Sequence, residues 1–315
     1  MARILVTGGA GFVGSNLVLR LLATGHQVTV LDDLSTGFKH NVPEQARLVQ
    51  ADVNFAWDEP VDQIFHLACA ASPEKYQKDP LQTLRTNYVG TTNMLELAKR
   101  HGASLLFSST SEVYGDPNVS PQPETYWGNV NSFGPRSCYD EGKRVAEALC
   151  YSYAQQGVRV RIARIFNTYG PRMAPDDGRV VSNFLVQALR GLPITIYGDG
   201  SQTRSLCYVD DLVAGLLALM AAPGSNLEHP VNLGNPCEMT VKQIGELAIR
   251  LCGSPSTISY HPLPQDDPLQ RCPDISRAKT WLGWQPSVTP EVGLSQTRDY
   301  FKQTLESKEA AGHKQ

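Results

Sequence analysis

The sequence has 315 residues, 41% hydrophobic and 19% charged, and its formal net charge at pH 7 is -3. These values are typical of a globular enzyme with a large core, and the absence of a long basic run argues against a nucleic-acid partner. The longest apolar stretch, from Leu212, is about half of the ~20 residues of a membrane span, so we expect no membrane partner.

The cysteines and the N-terminus indicate a cellular compartment. The seven cysteines are scattered, without a C-x-x-C pair or a histidine cluster at metal-ligand spacing. The chain runs from Met1 directly into a strand pattern, without the segments of a secretory signal. We therefore expect reduced thiols, no metal site and a cytoplasmic location.

The first half alternates short β-branched or aliphatic runs with helical patterns, as βαβ units do. Six strands are predicted, at Arg3–Thr7, Gln27–Asp32, Ala46–Ala51, Gln63–Ala68, Ser104–Ser109 and Arg159–Ile165. Helices are predicted near Phe12–Ala23, Leu81–His101 and Pro135–Gln156. The pattern predicts an α/β fold with a doubly wound parallel sheet.

After residue 168 the elements become shorter and richer in glycine and proline. This change predicts a smaller substrate lobe over residues 169–315, following a nucleotide-binding domain over residues 1–168. The helix predicted at Val209–Ala222, within residues 206–230, is expected to pack back onto the first domain.

A glycine-rich turn joins the first strand to the first helix. Gly8, Gly11 and Gly14 let the backbone approach a pyrophosphate at the positive end of that helix. Asp32 ends the second strand, eighteen positions past Gly14, where a carboxylate binds the adenine ribose hydroxyls. A carboxylate repels a 2'-phosphate, so the turn predicts NAD rather than NADP; Asp33 could share or take the role.

The remaining predicted cofactor contacts lie beside this turn or at strand ends. Asp52 after the third strand either meets the adenine or simply ends the strand, as aspartates often do. The other residues of this set are Phe12, Val13, Val53, Leu67 and Ala68.

Tyr139 and Lys143 lie four residues apart on one face of a predicted helix. A phenol is a poor base at neutral pH, but a nearby cation favours the phenolate. Thr110, Ser111 and Glu112 leave the fifth strand at the edge where the nucleotide is expected. Together these residues predict a hydroxyl that orients a substrate alcohol, a tyrosine that removes its proton and a lysine that supports the tyrosine. An interfacial tyrosine beside a solvated lysine is the structural alternative.

Longer strings carry a resemblance to a known family. They are "STSEVYGDP", "CYDEGKRVAE", "ARIFNTYGPRM", "IYGDGSQTRSLCYVDDL", "QDDPLQRCPDI" and "LGWQP", in this order. The sequence resembles the extended short-chain dehydrogenase/reductase family of nucleotide-sugar enzymes over nearly its whole length, and within it the subgroup of UDP-glucuronate decarboxylases. The resemblance implies a Rossmann-type domain, tightly bound NAD, a C-terminal lobe that holds UDP, and a homodimer built from helices such as those predicted at 81–101 and 135–156.

The resemblance also implies a reaction and the residues that perform it. Oxidation of the C4 hydroxyl of UDP-glucuronate places a ketone β to the carboxylate; CO2 then leaves, C5 is protonated, and the retained NADH reduces C4 to give UDP-xylose. Tyr139 matches the base, Lys143 its cationic partner and Thr110 the hydroxyl that bonds the C4 oxygen. Ser111 and Glu112 match the pair near C5 and the carboxylate. Arg271 matches an arginine that faces the substrate; a diphosphate clamp or a surface salt bridge is its alternative.

The same resemblance assigns the UDP end of the substrate. Arginine forks suit bidentate contacts to a diphosphate, and Arg204 is the strongest candidate. Arg172 follows a Gly-Pro pair and has a structural role as its alternative. The full implied set is Asn167, Arg172, Val180, Tyr197, Gln202, Arg204 and Arg271.

Two loops depart from the subgroup's usual sequence. "DDLSTGFKHN" borders the predicted cofactor site, and Cys69 and Ala70 stand where Ser and Pro are more frequent. We interpret Cys69 and Cys138 as packing residues, because the implied reaction has no covalent step on sulfur.

Other functions remain open on the same fold. A UDP-hexose 4-epimerase or an NDP-sugar 4,6-dehydratase is the nearest alternative, and the dehydratase would show an Asp-Glu pair after the threonine, where this chain has Ser111 and Glu112. A non-catalytic NAD-sensing module would be expected to have lost Tyr139 or Lys143.

Overall fold

The computed structural model describes residues 1–224, 229–262 and 270–312, with side chains described up to residue 307. Its centre is a seven-stranded parallel sheet in the order β3-β2-β1-β4-β5-β6-β11. The strands are β1 (Arg3–Thr7), β2 (Gln27–Asp32), β3 (Arg47–Gln50), β4 (Gln63–His66), β5 (Ser104–Thr110), β6 (Arg159–Ile165) and β11 (Val231–Leu233). The predicted α/β fold with a doubly wound parallel sheet is confirmed.

Six of these strands coincide with the predicted ones to within two residues at each end. β4 ends at His66, so Leu67 and Ala68 lie just beyond the sheet, although the Leu67 amide still donates to the Thr7 carbonyl at 3.1 Å. The seventh strand, β11, pairs in parallel with β6. Three residues are too few for a periodic signal, so its place in this sheet was not predicted.

Helices cover both faces of the sheet. They are α1 (Phe12–Ala23), α2 (Pro73–Tyr76), α3 (Pro80–Arg85), α4 (Thr91–His101), α5 (Ser137–Ala154), α6 (Val180–Leu189), α7 (Val209–Ala221), α8 (Val241–Cys252), α9 (Ser276–Leu282) and α10 (Pro290–Gly312). The single helix predicted near 81–101 is instead α3 and α4 joined by a π-helical turn at Thr86–Gly90. Sequence periodicity does not distinguish one extra residue per turn, so the π turn escaped prediction.

The core lies on both sides of the sheet because successive strand side chains alternate between its faces. On β1, Ile4 and Val6 join a cluster with Leu17 of α1 and Leu216 of α7, whereas Leu5 joins the opposite cluster with Leu95 of α4. α1 and α7 thus pack on one face of β1, and α4 packs on the other.

The later elements form smaller sheets beside the main one. They are β7 (Thr168–Tyr169) with β10 (Cys207–Tyr208), β8 (Ile194–Tyr197) with β13 (Ile258–His261), and β9 (Thr203–Ser205) with β12 (Glu238–Thr240). α7 lies against β5, β6 and β11 of the main sheet. Residues 225–228 of the segment predicted to pack back, and residues 263–269 before Arg271, lie outside the described residues.

None of the helices in the described ranges combines the length and apolarity needed to cross a bilayer.

Candidate functional site

A cavity of about 760 Å³ opens at the carboxyl ends of β1, β2, β4, β5 and β6, the edge where a doubly wound sheet binds its ligand. Every predicted site residue lines it. These are Gly8, Gly11, Phe12, Val13, Gly14, Asp32, Asp33, Asp52, Val53, Leu67, Ala68, Thr110, Ser111, Glu112, Tyr139, Lys143, Asn167, Arg172, Val180, Tyr197, Gln202, Arg204 and Arg271.

The glycine-rich turn needs glycine for two reasons. Gly8 has φ +72°, and a Cβ on it would lie 2.8 Å from the Ala68 amide nitrogen. A Cβ on Gly14 would lie 2.1 Å from the Gly8 carbonyl oxygen, so α1 approaches the turn as closely as backbone permits. Among the described residues, no side chain caps the N-terminus of α1 at Gly11. The first amides of α1 are therefore available to an anionic ligand.

Asp32 lies at the end of β2 and is buried. One carboxylate oxygen accepts from the Ala10 amide and the other from the Leu34 amide, both at 2.9 Å. Burial raises the pKa of this carboxyl above its ordinary value. A carboxylate oxygen accepts more than one hydrogen bond, so Asp32 fastens the glycine-rich turn and can still bind hydroxyls.

The two other aspartates of the predicted cofactor set are engaged in local turns. Asp33 accepts from the Ser35 amide and hydroxyl. Asp52 accepts from the Asn54 amide at 2.8 Å and from the Gln82 side chain at 2.8 Å. Both aspartates line the cavity, and Asp52 also has the strand-ending role that was its alternative.

Tyr139 and Lys143 begin α5 and are both buried. The Lys143 ammonium donates to the Ser108 carbonyl at 2.9 Å and lies 5.8 Å from the centre of the Tyr139 ring. Lys143 is therefore not the solvated lysine of the structural alternative. Burial lowers the pKa of Lys143. Burial also raises the pKa of Tyr139, and hydrogen bonding to Thr110 opposes that rise. Burial is thus the dominant influence on the pKa of the phenol in the protein alone.

Glu112 lies between two arginines. One of its carboxylate oxygens accepts from Arg271 at 2.7 Å and also from Arg136, and Arg271 donates to the Ser111 carbonyl at 2.7 Å. Burial by itself would raise the pKa of the Glu112 carboxyl, but Arg271 and Arg136 hold it below its ordinary value. Arg271 is only 3% exposed, so the surface-salt-bridge alternative for this residue is wrong.

Three residues of this region were missed by the sequence analysis. Arg136 lies three residues before Tyr139, a spacing that places both on one side of a helix start and was the available signal. Tyr76 stacks on Tyr139, with ring centres 4.9 Å apart and planes 6° apart, and its buried hydroxyl has no hydrogen-bond partner among the described residues. Asp140 follows Tyr139 and lies 3.9 Å from Arg136.

The residues assigned to the UDP end lie beyond β6, in the loops, in the smaller sheets and at the start of α6. Gln202 donates to the Tyr197 carbonyl at 2.5 Å, and Arg204 donates to the Thr203 carbonyl at 2.8 Å. Arg172 has φ +70° and donates to the Asn41 carbonyl at 2.6 Å. The structural role that was the alternative for Arg172 is therefore present, although the residue also lines the cavity.

A buried polar network supports the end of β5. Glu147, one turn after Lys143, accepts from Ser109 at 2.5 Å and from Arg164 at 2.7 Å. Arg164 also donates to the Tyr114 hydroxyl at 3.0 Å, and Tyr114 donates to Asn232 at 2.7 Å. These bonds join β5, α5, β6 and β11 into one unit behind the site.

Asn232 also holds the segment that contains Arg271. Its amide donates to the carbonyls of Gln122 at 2.9 Å and Asp274 at 3.0 Å. Gln122 accepts from the Cys272 amide at 2.9 Å through its side chain and donates its own amide to the Cys272 carbonyl at 2.8 Å. The position of Arg271 is thus determined by residues far from it in the sequence.

Known proteins resemble this chain over nearly its whole length. The model of the NAD dependent epimerase/dehydratase family matches residues 4–234. UDP-glucuronic acid decarboxylase 1 of Xenopus tropicalis is 57% identical over 310 residues, which are 96% of this chain and 73% of that protein. UDP-glucuronic acid decarboxylase 1 of Arabidopsis thaliana is 52% identical over 317 residues, 98% of this chain and 72% of that protein.

Solved structures share the fold. UDP-glucose 4-epimerase of Thermotoga maritima, with UDP-glucose, has a TM-score of 0.89 and 33% identity, over 96% of this chain and 99% of that one. UDP-glucuronic acid 4-epimerase of Bacillus cereus, in complex with UDP-glucuronic acid and NAD, has a TM-score of 0.86 and 27% identity, over 96% of this chain and 99% of that one.

Proposed function

This chain belongs to the NAD dependent epimerase/dehydratase family, and from that premise we propose that it converts UDP-glucuronate to UDP-xylose and CO2. The decarboxylase names of the relatives support this reaction. The observation that carries the proposal is the placement of Glu112 between Arg136 and Arg271, beside Tyr139. Arg136 and Arg271 could bind the carboxylate of the sugar, and the Glu112 carboxyl could serve in proton transfer at the adjacent carbon, C5.

The residues present fit NAD. The closely packed turn of Gly8 and Gly14 leaves the start of α1 open to a pyrophosphate, and Asp32 is positioned to accept from ribose hydroxyls. Lys143 reaches the same cavity from α5. NAD held there would supply the acceptor and donor of a hydride for C4 of the sugar, together with the positive charge of its oxidised form.

Tyr139 would act as the base at the C4 hydroxyl. Its own surroundings raise the pKa of the phenol, so the protein keeps it protonated until further positive charge arrives. Thr110 would hold the C4 oxygen, and Lys143 would stabilise the phenolate. The proton that Tyr139 takes from the hydroxyl is returned to the same oxygen when C4 is reduced again.

Arg136 and Arg271 would hold the sugar carboxylate and then the enolate left by loss of CO2. A ketone β to a carboxylate accepts the electron pair of the breaking carbon–carbon bond, so the negative charge moves towards the C4 oxygen. Preorganised cations stabilise such a developing charge. Ser111 and Glu112, or a water that Glu112 holds, would serve C5 when it is protonated.

The UDP end is assigned to Asn167, Arg172, Val180, Tyr197, Gln202 and Arg204, all of which line the main cavity. We propose accordingly that residues 1–168 bind NAD and residues 169–315 bind the UDP-sugar. The packing of α7 against the main sheet supports grouping this helix with the first unit.

A homodimer through the helices from 80 to 101 and α5 is part of the proposal. Its support is a set of large apolar side chains that these helices expose to solvent. They are Leu81, Leu84, Tyr88, Val145 and Tyr151. A cytoplasmic location is supported by the seven cysteines, all of which are free thiols.

The test is a product assay on the purified protein with UDP-glucuronate and NAD. We expect CO2 and UDP-xylose, identified by NMR of the sugar nucleotide, with little NADH left at the end. Recovery of unchanged UDP-glucuronate would contradict the proposal. Formation of UDP-galacturonate would replace it with a 4-epimerase, the activity named for the two solved structures.

A further inference from the structure

A second cavity, of about 240 Å³, lies behind the charged cluster. Glu112, Arg136 and Arg271 line both this cavity and the main one, so they form the wall between the two. Asp140 lines the second cavity, together with Asp116, and is not among the residues that line the main one. The second cavity therefore reaches the charged cluster past residues that the main cavity does not contact.

The Asp140 carboxyl is only partly satisfied by protein groups. The residue is 6% exposed, and its Oδ1 has no hydrogen-bond partner among the described residues. Its Oδ2 lies 3.9 Å from Arg136, beyond hydrogen-bond distance. A buried polar oxygen without a partner is unfavourable, because it has lost its hydrogen bonds to water. A cavity of this size has room for water, which would supply the missing partner.

The proposed reaction consumes a proton at C5, and no residue assigned so far brings that proton in from solvent. UDP-glucuronate loses its carboxylate as CO2, and the electron pair left behind forms a new C–H bond at C5, so each turnover consumes one proton. The proton that Tyr139 removes from the C4 hydroxyl goes back to the C4 oxygen and is not available for C5. A second proton must therefore enter from solvent in every cycle.

We propose that Asp140 carries this proton from the water of the second cavity to Glu112, or to the water that Glu112 holds, for delivery to C5. The inference rests on the proposed function and adds a relay residue to it. Asp140 is deprotonated when it hands the proton on and is reprotonated from solvent. The reaction is thereby balanced, with one proton taken up and one CO2 released.

The electrostatic surroundings suit such a role. Burial, and next the Glu112 charge, raise the pKa of Asp140 to about 7, while Arg136 and Arg271 oppose the rise. An acid of this pKa is half protonated at neutral pH, where proton transfer by a general acid is most effective. The titratable and charged groups around Asp140 are Glu112, Arg136, Arg271, Glu141, Tyr76, Tyr139 and Cys138.

The test compares Asp140→Asn and Asp140→Glu with the wild type in single turnovers. Asp58→Asn is the matched control, because it makes the same change at an exposed aspartate that pairs with Arg100. The Asn variant keeps the shape but carries no proton, so we expect C5 protonation to slow by about 10²-fold. NADH and CO2 should then both appear early and NADH should persist, whereas the Glu variant and the control should resemble the wild type.

The pH dependence gives a second measurement that needs no variant. In the wild type, the rate of NADH reoxidation should fall as pH rises through about 7, because Asp140 loses its proton there. This fall should be absent in Asp140→Asn. A wild-type rate that is flat from pH 6 to 9, or an Asn variant with the wild-type rate and profile, would overturn the relay alone. Wild-type protein that releases no CO2 would overturn the proposed function and the relay together.

Discussion

At the proposed cofactor end of the main cavity the wall is formed by backbone atoms, whereas at the proposed sugar end it is formed by charged side chains. Gly8 and Gly14 approach their neighbours so closely that a methyl group on either would overlap backbone atoms. Glu112, Arg136 and Arg271 instead satisfy one another through ion pairs. The geometry of the cofactor end thus depends on close backbone packing, and that of the sugar end depends on the pairing of opposite charges.

The difference determines how each end responds to mutation. The cofactor end is lined by backbone atoms that leave no room for a side chain at Gly8 or Gly14, so binding there depends on the absence of side-chain atoms. A cluster of partly buried charges loses more than one contact when a member is removed, because the remaining charges are left without a counterion. Removing one charged side chain should therefore impair the sugar end through electrostatics, whereas adding one methyl group to Gly8 or Gly14 should impair the cofactor end through steric overlap.

Tyr139 lies where the two ends meet, and its substitution should have the largest effect. We expect Tyr139→Phe to lower turnover by about 10³-fold, because the base at the C4 hydroxyl is removed. Tyr139 is not among the residues assigned to the UDP end, so UDP affinity measured by calorimetry should be unchanged. Turnover equal to that of the wild type would remove Tyr139 from the mechanism.

Arg136→Met tests the charge-balanced end. The loss of one cation leaves Glu112 with a single partner and takes one contact from the substrate carboxylate. We expect the KM for UDP-glucuronate to rise about 30- to 100-fold, the range of a lost partly buried charge pair of ~2–3 kcal/mol. Arg100→Met is the control, since Arg100 pairs with Asp58 on the exposed surface of α4. Equal KM values in the two variants would refute the role of Arg136.

Asp32→Asn tests the cofactor end and should have a smaller effect. It removes the charge that repels a 2'-phosphate while preserving the size of the side chain. We expect the preference for NAD over NADP, measured as a ratio of dissociation constants, to fall about tenfold, which corresponds to ~1.4 kcal/mol. Asp33→Asn is the control, because Asp33 is engaged by Ser35. A larger change in the Asp33 variant would transfer the role to that residue.

Cys69→Ser should have the smallest effect, although Cys69 lies beside Tyr139. The Cys69 thiol donates to the Ala70 carbonyl and accepts from Asn87, and a serine hydroxyl can do both. We expect turnover to change by less than about twofold, because neither hydrogen bond is lost. A variant without turnover would show that the thiol takes part in the chemistry.

The cofactor end could be predicted from the sequence because its determinants are local. The run from Gly8 to Gly14 lies between one strand and one helix, and Asp32 ends the next strand, so a spacing rule relates them all. Tyr139 and Lys143 are likewise four residues apart on α5. In each case chain geometry over one element decides where the side chains lie.

The cluster of Glu112, Arg136 and Arg271 could not be predicted from the sequence in the same way. Glu112 and Arg271 are 159 residues apart, and nothing in either segment shows that one carboxylate oxygen accepts from two arginines. The family resemblance predicted Arg271 as a site residue, but it did not indicate Arg136, Asp140 or the second cavity. Their importance depends on burial and mutual charge, which only the folded chain determines.

The bonds that Asn232 makes have a consequence for the dynamics of the molecule. One amide group joins Gln122 to Asp274, so the segment that carries Arg271 cannot detach while Gln122 stays in place. These two stretches should open as one cooperative unit and exchange their amide hydrogens at a common rate. Arg271 would then either lie in the site, with both stretches closed, or lie outside it, with both stretches open.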